Sequence, residues 1–154
     1  VSLAGGLAKG RDLRGEAGNV IAVIGDGSLS GGEALEGLDW AAELGTNFII
    51  VANDNQMSIA ENHGGLYQNL AALRRSNGTC SNNLFRAMGL DYLYVDKGNQ
   101  LEALIAAFKK EALLTPGISL GYCIARKIPA FERSSTLMAS TSLPSHVTEQ
   151  AVTF

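Results

Sequence analysis

The strongest restriction on the fold comes from residues 20–52, where two apolar runs flank an amphipathic segment. Residues 20–24 form a continuous, largely β-branched run, which is typical of a strand buried on both faces. Over residues 31–44, apolar side chains recur every three or four positions with acids between them, which predicts a helix. Residues 48–52 predict a second buried strand. A strand–helix–strand unit of this length places both strands parallel in one sheet.

The same alternation continues along the chain to residue 125. Strands that alternate with helices predict an α/β fold, a parallel sheet with helices on both faces. We therefore predict one domain over residues 1–128 and a loose tail over residues 129–154, which has no sustained periodicity. The further predicted elements are helices over 2–13, 64–74, 82–88 and 100–113, a strand over 91–96 and an apolar run over 118–125.

Composition and charge exclude several classes of protein. The chain has 154 residues, 46% of them hydrophobic, which is enough for one core. A net charge of −3 argues against nucleic-acid binding. No apolar run approaches the roughly 20 residues that a membrane span requires, and the two cysteines have no metal-like or disulfide-framework spacing. We expect a cytoplasmic protein that binds neither nucleic acid nor membrane.

Acid and amide side chains follow each of the two strands. Asp26 stands between Gly25 and Gly27 after the first strand, and the second strand runs into the triplet at residues 53–55, Asn-Asp-Asn. The carboxyl ends of parallel strands meet at one edge of a sheet, where ligands of open α/β folds bind. We therefore expect Asp26 to lie at the same level as this triplet, on a neighbouring strand.

These residue types suit a divalent cation that holds a phosphate. Carboxylate and amide oxygens are ligands for Mg²⁺ or Ca²⁺. Residues 15–73 contain eight acids and no Lys or Arg, so a phosphate bound there would need a metal to balance its charge. Backbone N–H groups at Gly27 and Ser28 could hold the remaining phosphate oxygens. Either motif alone is more often an ordinary turn, and only their pairing on consecutive strands favours a site.

Two stretches carry a family resemblance: VIGDGSLSGGEALEGL (residues 23–38) and VANDNQMSIAENHGGL (residues 51–66). Together they resemble the thiamine-diphosphate signature, in which GDG is followed by an Asn-containing triplet. More narrowly, they are similar to the 1-deoxy-D-xylulose-5-phosphate synthase family, relatives of transketolase. The similarity covers residues 2–66 and resumes at NNLFRAMGLDYLYVD (residues 82–96).

The resemblance implies a thiamine-diphosphate and Mg²⁺ site in the diphosphate-binding domain of that family. Asp26 and Asn55 would be side-chain metal ligands, and Met57 would supply its backbone carbonyl. The glycines on either side of Asp26, with Ser28, would lie against the diphosphate. The implied cofactor-binding residues are Gly25, Asp26, Gly27, Ser28, Asn55 and Met57.

The implied reaction joins pyruvate and glyceraldehyde 3-phosphate to give 1-deoxyxylulose 5-phosphate and CO₂. In the family, the catalytic glutamate belongs to a pyrimidine-binding domain that these 154 residues do not contain. We therefore expect the chain alone to be inactive and to act with that domain in the same or another chain, as a homodimer or a split heteromer. Two alternatives stay open: a split transketolase-like subunit, and a non-catalytic remnant of such an enzyme.

Other polar residues near these motifs have ordinary explanations. His63 could reach a substrate, but a lone histidine in a loop is more often a solvated polar residue. Asp54 ranks below Asn55 as a ligand, because it could point to the other side of the strand and bond locally. Tyr67 could face a substrate but is expected to pack. Arg74 could contact a substrate phosphate but is expected to mark a solvated helix end.

Overall fold

The computed structural model describes residues 1–56, 60–113, 118–123 and 151–153. The helices and strands lie close to the positions that the sequence predicts, with a one-turn helix added directly after the first strand. In chain order they are α1 (Ser2–Leu13), β1 (Val20–Gly25), α2 (Asp26–Leu29), α3 (Gly32–Leu44), β2 (Phe48–Asn53), α4 (Gly65–Arg75), α5 (Leu84–Ala87), β3 (Asp91–Val95), α6 (Leu101–Leu113), β4 (Ile118–Cys123) and β5 (Ala151–Thr153).

The strands form one sheet in the order β3-β4-β2-β1-β5. β1 pairs with β2 in parallel, in a register that runs from Val20 opposite Phe48 to Gly25 opposite Asn53. β4 is parallel to both β2 and β3. The predicted parallel α/β sheet is confirmed, and its register brings the ends of β1 and β2 level with each other.

One strand differs from the prediction. β5 pairs antiparallel with β1 and lies within residues 129–154, where we expected only a loose tail. Three residues are too short to show a strand period in the sequence. The rest of the predicted tail lies outside the described residues.

Helices cover both faces of the sheet, as predicted. The larger core lies between one face of β1 and β2 and the helices α1, α3, α4 and α5. On the opposite face, Ile49 and Val51 of β2 pack with Leu104 and Phe108 of α6. The prediction that β1 is buried on both faces was wrong, because Val23 is 51% exposed on the α6 side. The described residues that form the centre of the larger core include Ala22, Ile24, Leu38, Phe48, Ile50, Leu70, Leu73 and Phe85.

A buried arginine ties the first helix to the starts of the two central strands. Arg11 donates from Nη1 to the carbonyls of Gly18 (2.7 Å) and Asn47 (2.9 Å). Its Nη2 donates to Thr46 Oγ1 at 2.6 Å. Both carbonyl acceptors come shortly before a strand, so Arg11 fixes the edge of the sheet opposite to the candidate site.

Two glycines allow α1 and α3 to approach closely. A Cβ atom at Gly37 would lie 2.6 Å from Ser2 Oγ and 2.8 Å from Ser2 N. At Gly5 it would lie 2.7 Å from Cζ3 of Trp40. At Gly37 the contact is therefore backbone against backbone. Within the described ranges, the structure contains no helix with the length and apolarity needed to cross a membrane.

Candidate functional site

The candidate site lies where β1 and β2 end side by side. Gly25 pairs with Asn53, so the next residues, Asp26 and Asp54, leave the sheet at the same level. Asp26 opens the short helix α2 and is 4% exposed, and Asp54 is fully buried. Two acids are thus buried next to each other at the carboxyl edge of the sheet, where charged groups are costly to desolvate.

Local hydrogen-bond donors hold the Asp26 carboxyl, but its surroundings disfavour the charged form. Asn62 Nδ2 donates to its Oδ2 at 2.8 Å, and the backbone N–H of Gly27 also donates to it. Burial raises the pKa of Asp26, and the charge of Asp54, with a hydrogen bond between the two carboxyls, raises it further. Without a metal, this carboxyl therefore binds a proton more readily than an exposed aspartate does.

Asp54 is fixed through both of its carboxylate oxygens. Its Oδ1 accepts from the backbone N–H of Gln56 at 2.8 Å, and its Oδ2 forms an ion pair with Nη1 of Arg74. The Arg74 side chain is 19% exposed, so the prediction that it is a solvated helix end was wrong. The sequence holds a signal for this position: Arg74 lies four residues after buried Leu70, on the inward face of α4.

Arg74 also changes the charge balance that the sequence predicts for the site. Residues 15–73 contain no Lys or Arg, but the next residue along the chain brings a guanidinium to the buried acids. It balances the charge of Asp54. The ion pair does not balance the charge of Asp26.

A cavity of about 240 Å³ opens beside the acids. Gln56, residues 62–64 and α4 line it together with Asp26. Tyr67 on α4 donates from its hydroxyl to Ser30 Oγ at 2.7 Å and approaches the Gly27 carbonyl at 3.4 Å. The polar residues that line the cavity include Asp26, Gln56, Asn62, His63, Tyr67 and Arg74.

The predicted diphosphate residues lie at the same edge. Gly25 and Ser28 are exposed, and Gly27 is half-buried. Gly25 has φ −78°, so its backbone does not require glycine, and a Cβ there would meet nothing within 4 Å. The space over this backbone is open, as binding of a ligand would require.

The other two predicted metal ligands follow β2. Asn55 is exposed, one residue beyond buried Asp54. Met57 lies outside the described residues. His63 is exposed and lines the cavity. As ligands, Asp26, Asn55 and Met57 stay predictions.

The donor chemistry of this edge fits a hard divalent cation. Two adjacent carboxyls, of which one keeps an unbalanced charge, offer oxygen ligands and would be relieved of their repulsion by a metal. Among residues 1–56, 60–113, 118–123 and 151–153, no group of three or more His, Cys, Asp or Glu side chains could hold a metal ion. A cation here would therefore need amide, carbonyl, phosphate or water oxygens as well, which is the usual environment of Mg²⁺ bound with a phosphate.

Two solved structures define the class of fold. A transketolase mutant from Pichia stipitis superposes on 80% of this chain and 18% of its own, with a TM-score of 0.55 and 18% identity. An enzyme from Mycobacterium smegmatis described as a putative thiamin diphosphate-dependent enzyme covers 80% of this chain and 21% of its own, with a TM-score of 0.54 and 20% identity. The domain therefore has the α/β fold of transketolase-like enzymes.

The family follows from the sequence match. The model of the N-terminal region of 1-deoxy-D-xylulose-5-phosphate synthase matches residues 1–81 of the 154. This chain belongs to the 1-deoxy-D-xylulose-5-phosphate synthase family, and the predicted resemblance is confirmed.

Individual members of the family agree with this result. The synthase of Desulforudis audaxviator is 55% identical over 74 residues, 48% of this chain and 12% of its own length. That of Clostridium tetani is 54% identical over 74 residues, with the same two shares. The synthase of Desulfitobacterium hafniense is 46% identical over 96 residues, 58% of this chain and 15% of its own. The chain thus spans about an eighth of the length of the curated relatives that it matches.

Several residues of the site were not predicted from the sequence. Asn62, which binds Asp26, stands in a polar loop with no periodic signal. The bond from Tyr67 to Ser30 joins elements far apart in the chain, and only the fold reveals it. Asp54 was expected to bond locally, which its bond from Gln56 confirms, but its ion pair was not anticipated.

Proposed function

We propose that this chain provides the Mg²⁺ and diphosphate anchor of a thiamine-diphosphate-dependent 1-deoxy-D-xylulose-5-phosphate synthase. The observation that carries the proposal is the buried pair of Asp26 and Asp54 at the carboxyl ends of β1 and β2. The family of the chain supports the identity of the cofactor. The open space above Gly25 supports the position of the diphosphate.

Each predicted residue has a distinct role in this anchor. Asp26 and Asn55 would hold Mg²⁺ through side-chain oxygens, and Met57 would hold it through its carbonyl. The backbone N–H groups of Gly27 and Ser28 would bind phosphate oxygens. Asn62 orients the Asp26 carboxylate by donating to its Oδ2.

The bound cofactor would supply an electron sink for decarboxylation of a 2-keto acid. By family, the substrates would be pyruvate and glyceraldehyde 3-phosphate. The domain that binds the pyrimidine ring would come from the rest of a longer chain or from another subunit, in a homodimer or a split heteromer. A remnant that folds but binds no cofactor is the alternative that the binding experiment excludes first.

Thermal unfolding tests the anchor. The chain is heated with Mg²⁺ and thiamine diphosphate together, with each alone, and with neither. At a ligand concentration about 100 times the dissociation constant, binding adds roughly 2.7 kcal/mol to the free energy of unfolding. We expect stabilisation that requires both ligands and disappears in Asp26→Ala. The matched control is Asp39→Asn, which neutralises an exposed acid on α3 and should keep the full shift.

The alternatives predict other results. If millimolar Mg²⁺ and cofactor do not shift the thermal unfolding transition of the wild-type chain, the anchor is not formed in the isolated chain. The remnant hypothesis is then favoured. If a candidate pyrimidine-binding domain restores the shift when added, the split-subunit hypothesis is favoured instead. A shift that survives in Asp26→Ala would mean that the ligands bind elsewhere.

A further inference from the structure

We infer that Arg74 is a positioning residue that, through Asp54, holds the turn after β2 in the shape that presents Asn55 to the metal. The inference deepens the proposed function and rests on it for the identity of the metal. Arg74 itself would touch neither the metal nor the reacting atoms. Its effect would pass through one buried carboxylate.

The turn is held by Asp54 at two points. One carboxylate oxygen accepts from the Gln56 backbone N–H at 2.8 Å, which closes a loop around Asn55. The other oxygen is bound to Arg74. Asn55 lies between Asp54 and Gln56 in the chain, so its position depends on this short bridge.

The conformation of the turn requires such a bridge. Gln56 has a φ of +69°, in the left-handed region that non-glycine residues seldom adopt. A residue in this region costs free energy and keeps its conformation only when surrounding bonds hold it. The hydrogen bond to Asp54 is the bond that the structure provides at the Gln56 amide.

Arg74 connects this turn to the rigid core. α4 packs into the larger core through Leu70 and Leu73, both fully buried, and Arg74 follows directly on the same helix. Asp54 is also fully buried and shares a hydrogen bond with Asp26. Without the guanidinium, two adjacent acids would be buried with no cation, and the turn would open so that Asp54 could reach water.

The experiment measures the turn and the metal separately, on the full 154-residue chain. The variants are Arg74→Met, the conservative Arg74→Lys, and Arg75→Met as the matched control, because Arg75 is the exposed neighbour on α4. Amide hydrogen exchange of Gln56, followed by NMR without ligand, reports on the turn. Titration with Mg²⁺ at a fixed concentration of thiamine diphosphate reports on the metal.

We expect Arg74→Met to speed exchange at Gln56 by about tenfold or more, the effect of losing a hydrogen bond to a charged group. The Mg²⁺ dissociation constant should rise by about 10–100-fold, the usual result of removing an outer-shell partner of a metal site. Arg75→Met should change neither quantity. Arg74→Lys keeps the positive charge, and both values should fall between those of wild type and Arg74→Met.

If Arg74→Met does not fold, the double variant Asp54→Asn/Arg74→Met takes its place. The Asp54→Asn change keeps a side-chain oxygen for the Gln56 amide and removes the charge that needs a cation. Exchange at Gln56 should therefore stay close to the wild-type rate. Faster exchange in the double variant would contradict the proposed bridge.

Two results would overturn the inference. Unchanged Gln56 exchange in folded Arg74→Met would show that Arg74 does not hold the turn. Faster exchange with an unchanged Mg²⁺ dissociation constant would show that the turn does not serve the metal. If wild type binds neither ligand, the proposed function fails, and Gln56 exchange still decides whether Arg74 orders the turn.

Discussion

Replacing Asp26 with asparagine should stabilise the chain in the absence of metal. The side chain is 4% exposed, and both burial and Asp54 raise the pKa of its carboxyl above the ordinary value of 3.8. Asparagine keeps the shape of the side chain and an oxygen that can accept from Asn62. It removes the charge that is hardest to bury at this edge of the sheet.

The size of the gain follows from two opposed effects. The hydrogen bonds from Asn62 and Gly27 each lose about 1 kcal/mol when their acceptor becomes neutral. Removing a buried carboxylate that lies beside a second one regains several kcal/mol of desolvation and repulsion. We expect Asp26→Asn to be more stable than wild type by about 1–3 kcal/mol near pH 7, a gain typical of relieving a strained functional site.

The gain should depend on pH in a defined direction. The pKa of Asp26 is higher in the folded chain than in the unfolded chain. At a pH between these two pKa values, the folded wild type therefore holds a proton that the unfolded chain has lost. The contribution of Asp26 to wild-type stability should therefore fall as pH rises from 3.8 through the raised folded pKa. Above that pKa the penalty is constant, so the advantage of asparagine grows across this window and then levels off.

Denaturation by urea, with chelator present and from about pH 4 to about pH 8, measures this difference. The control is Asp39→Asn, at an exposed position of α3, which should match wild type across the range. An Asp26→Asn variant less stable than wild type at neutral pH, or a gain that does not vary with pH, would refute the account of a destabilised acid at the site.

Two further substitutions test how the rest of the fold supports the site. Arg11→Met should lower the free energy of unfolding by about 2–4 kcal/mol, because the carbonyls of Gly18 and Asn47 and the buried hydroxyl of Thr46 lose their donor. Exposed Arg14→Met should have little effect, and denaturation measures both. Gly37→Ala should destabilise by about 1–3 kcal/mol through overpacking against backbone, since its Cβ would lie 2.8 Å from Ser2 N. Gly6→Ala has no atom within 4 Å of its Cβ and should instead stabilise the helix by up to about 1 kcal/mol. Equal effects of the two alanines would contradict the close contact between α1 and α3.

The sequence predicted the parallel fold and the common level of Asp26 and Asp54 at the ends of β1 and β2, because hydrophobic periodicity and chain direction are local signals. The sheet order was not predictable in this way: β4 lies between β3 and β2, which depends on how the connections cross the sheet. Exposure of Val23 likewise depends on which part of the sheet α6 covers.

The partners of the acids were missed for a related reason. Arg74 and Asp54 are 20 residues apart in the sequence. The sequence around either residue gives no sign that the other lies next to it. The left-handed conformation of Gln56 has no signature either, since glycine or asparagine is usual there. An ion pair between residues that are far apart in the sequence depends on the conformation of the loop that connects them, so it is visible only in the folded structure.

Calorimetric titration of thiamine diphosphate into the 154-residue chain, with Mg²⁺ and with chelator, tests the metal-bridged anchor most directly. A metal-bridged diphosphate site should give saturable binding of one cofactor per chain with Mg²⁺, no binding with chelator, and loss of binding in Asp26→Asn but not in Asp39→Asn. Equal binding with and without Mg²⁺, or full binding by Asp26→Asn, would contradict a metal-bridged diphosphate at the ends of β1 and β2.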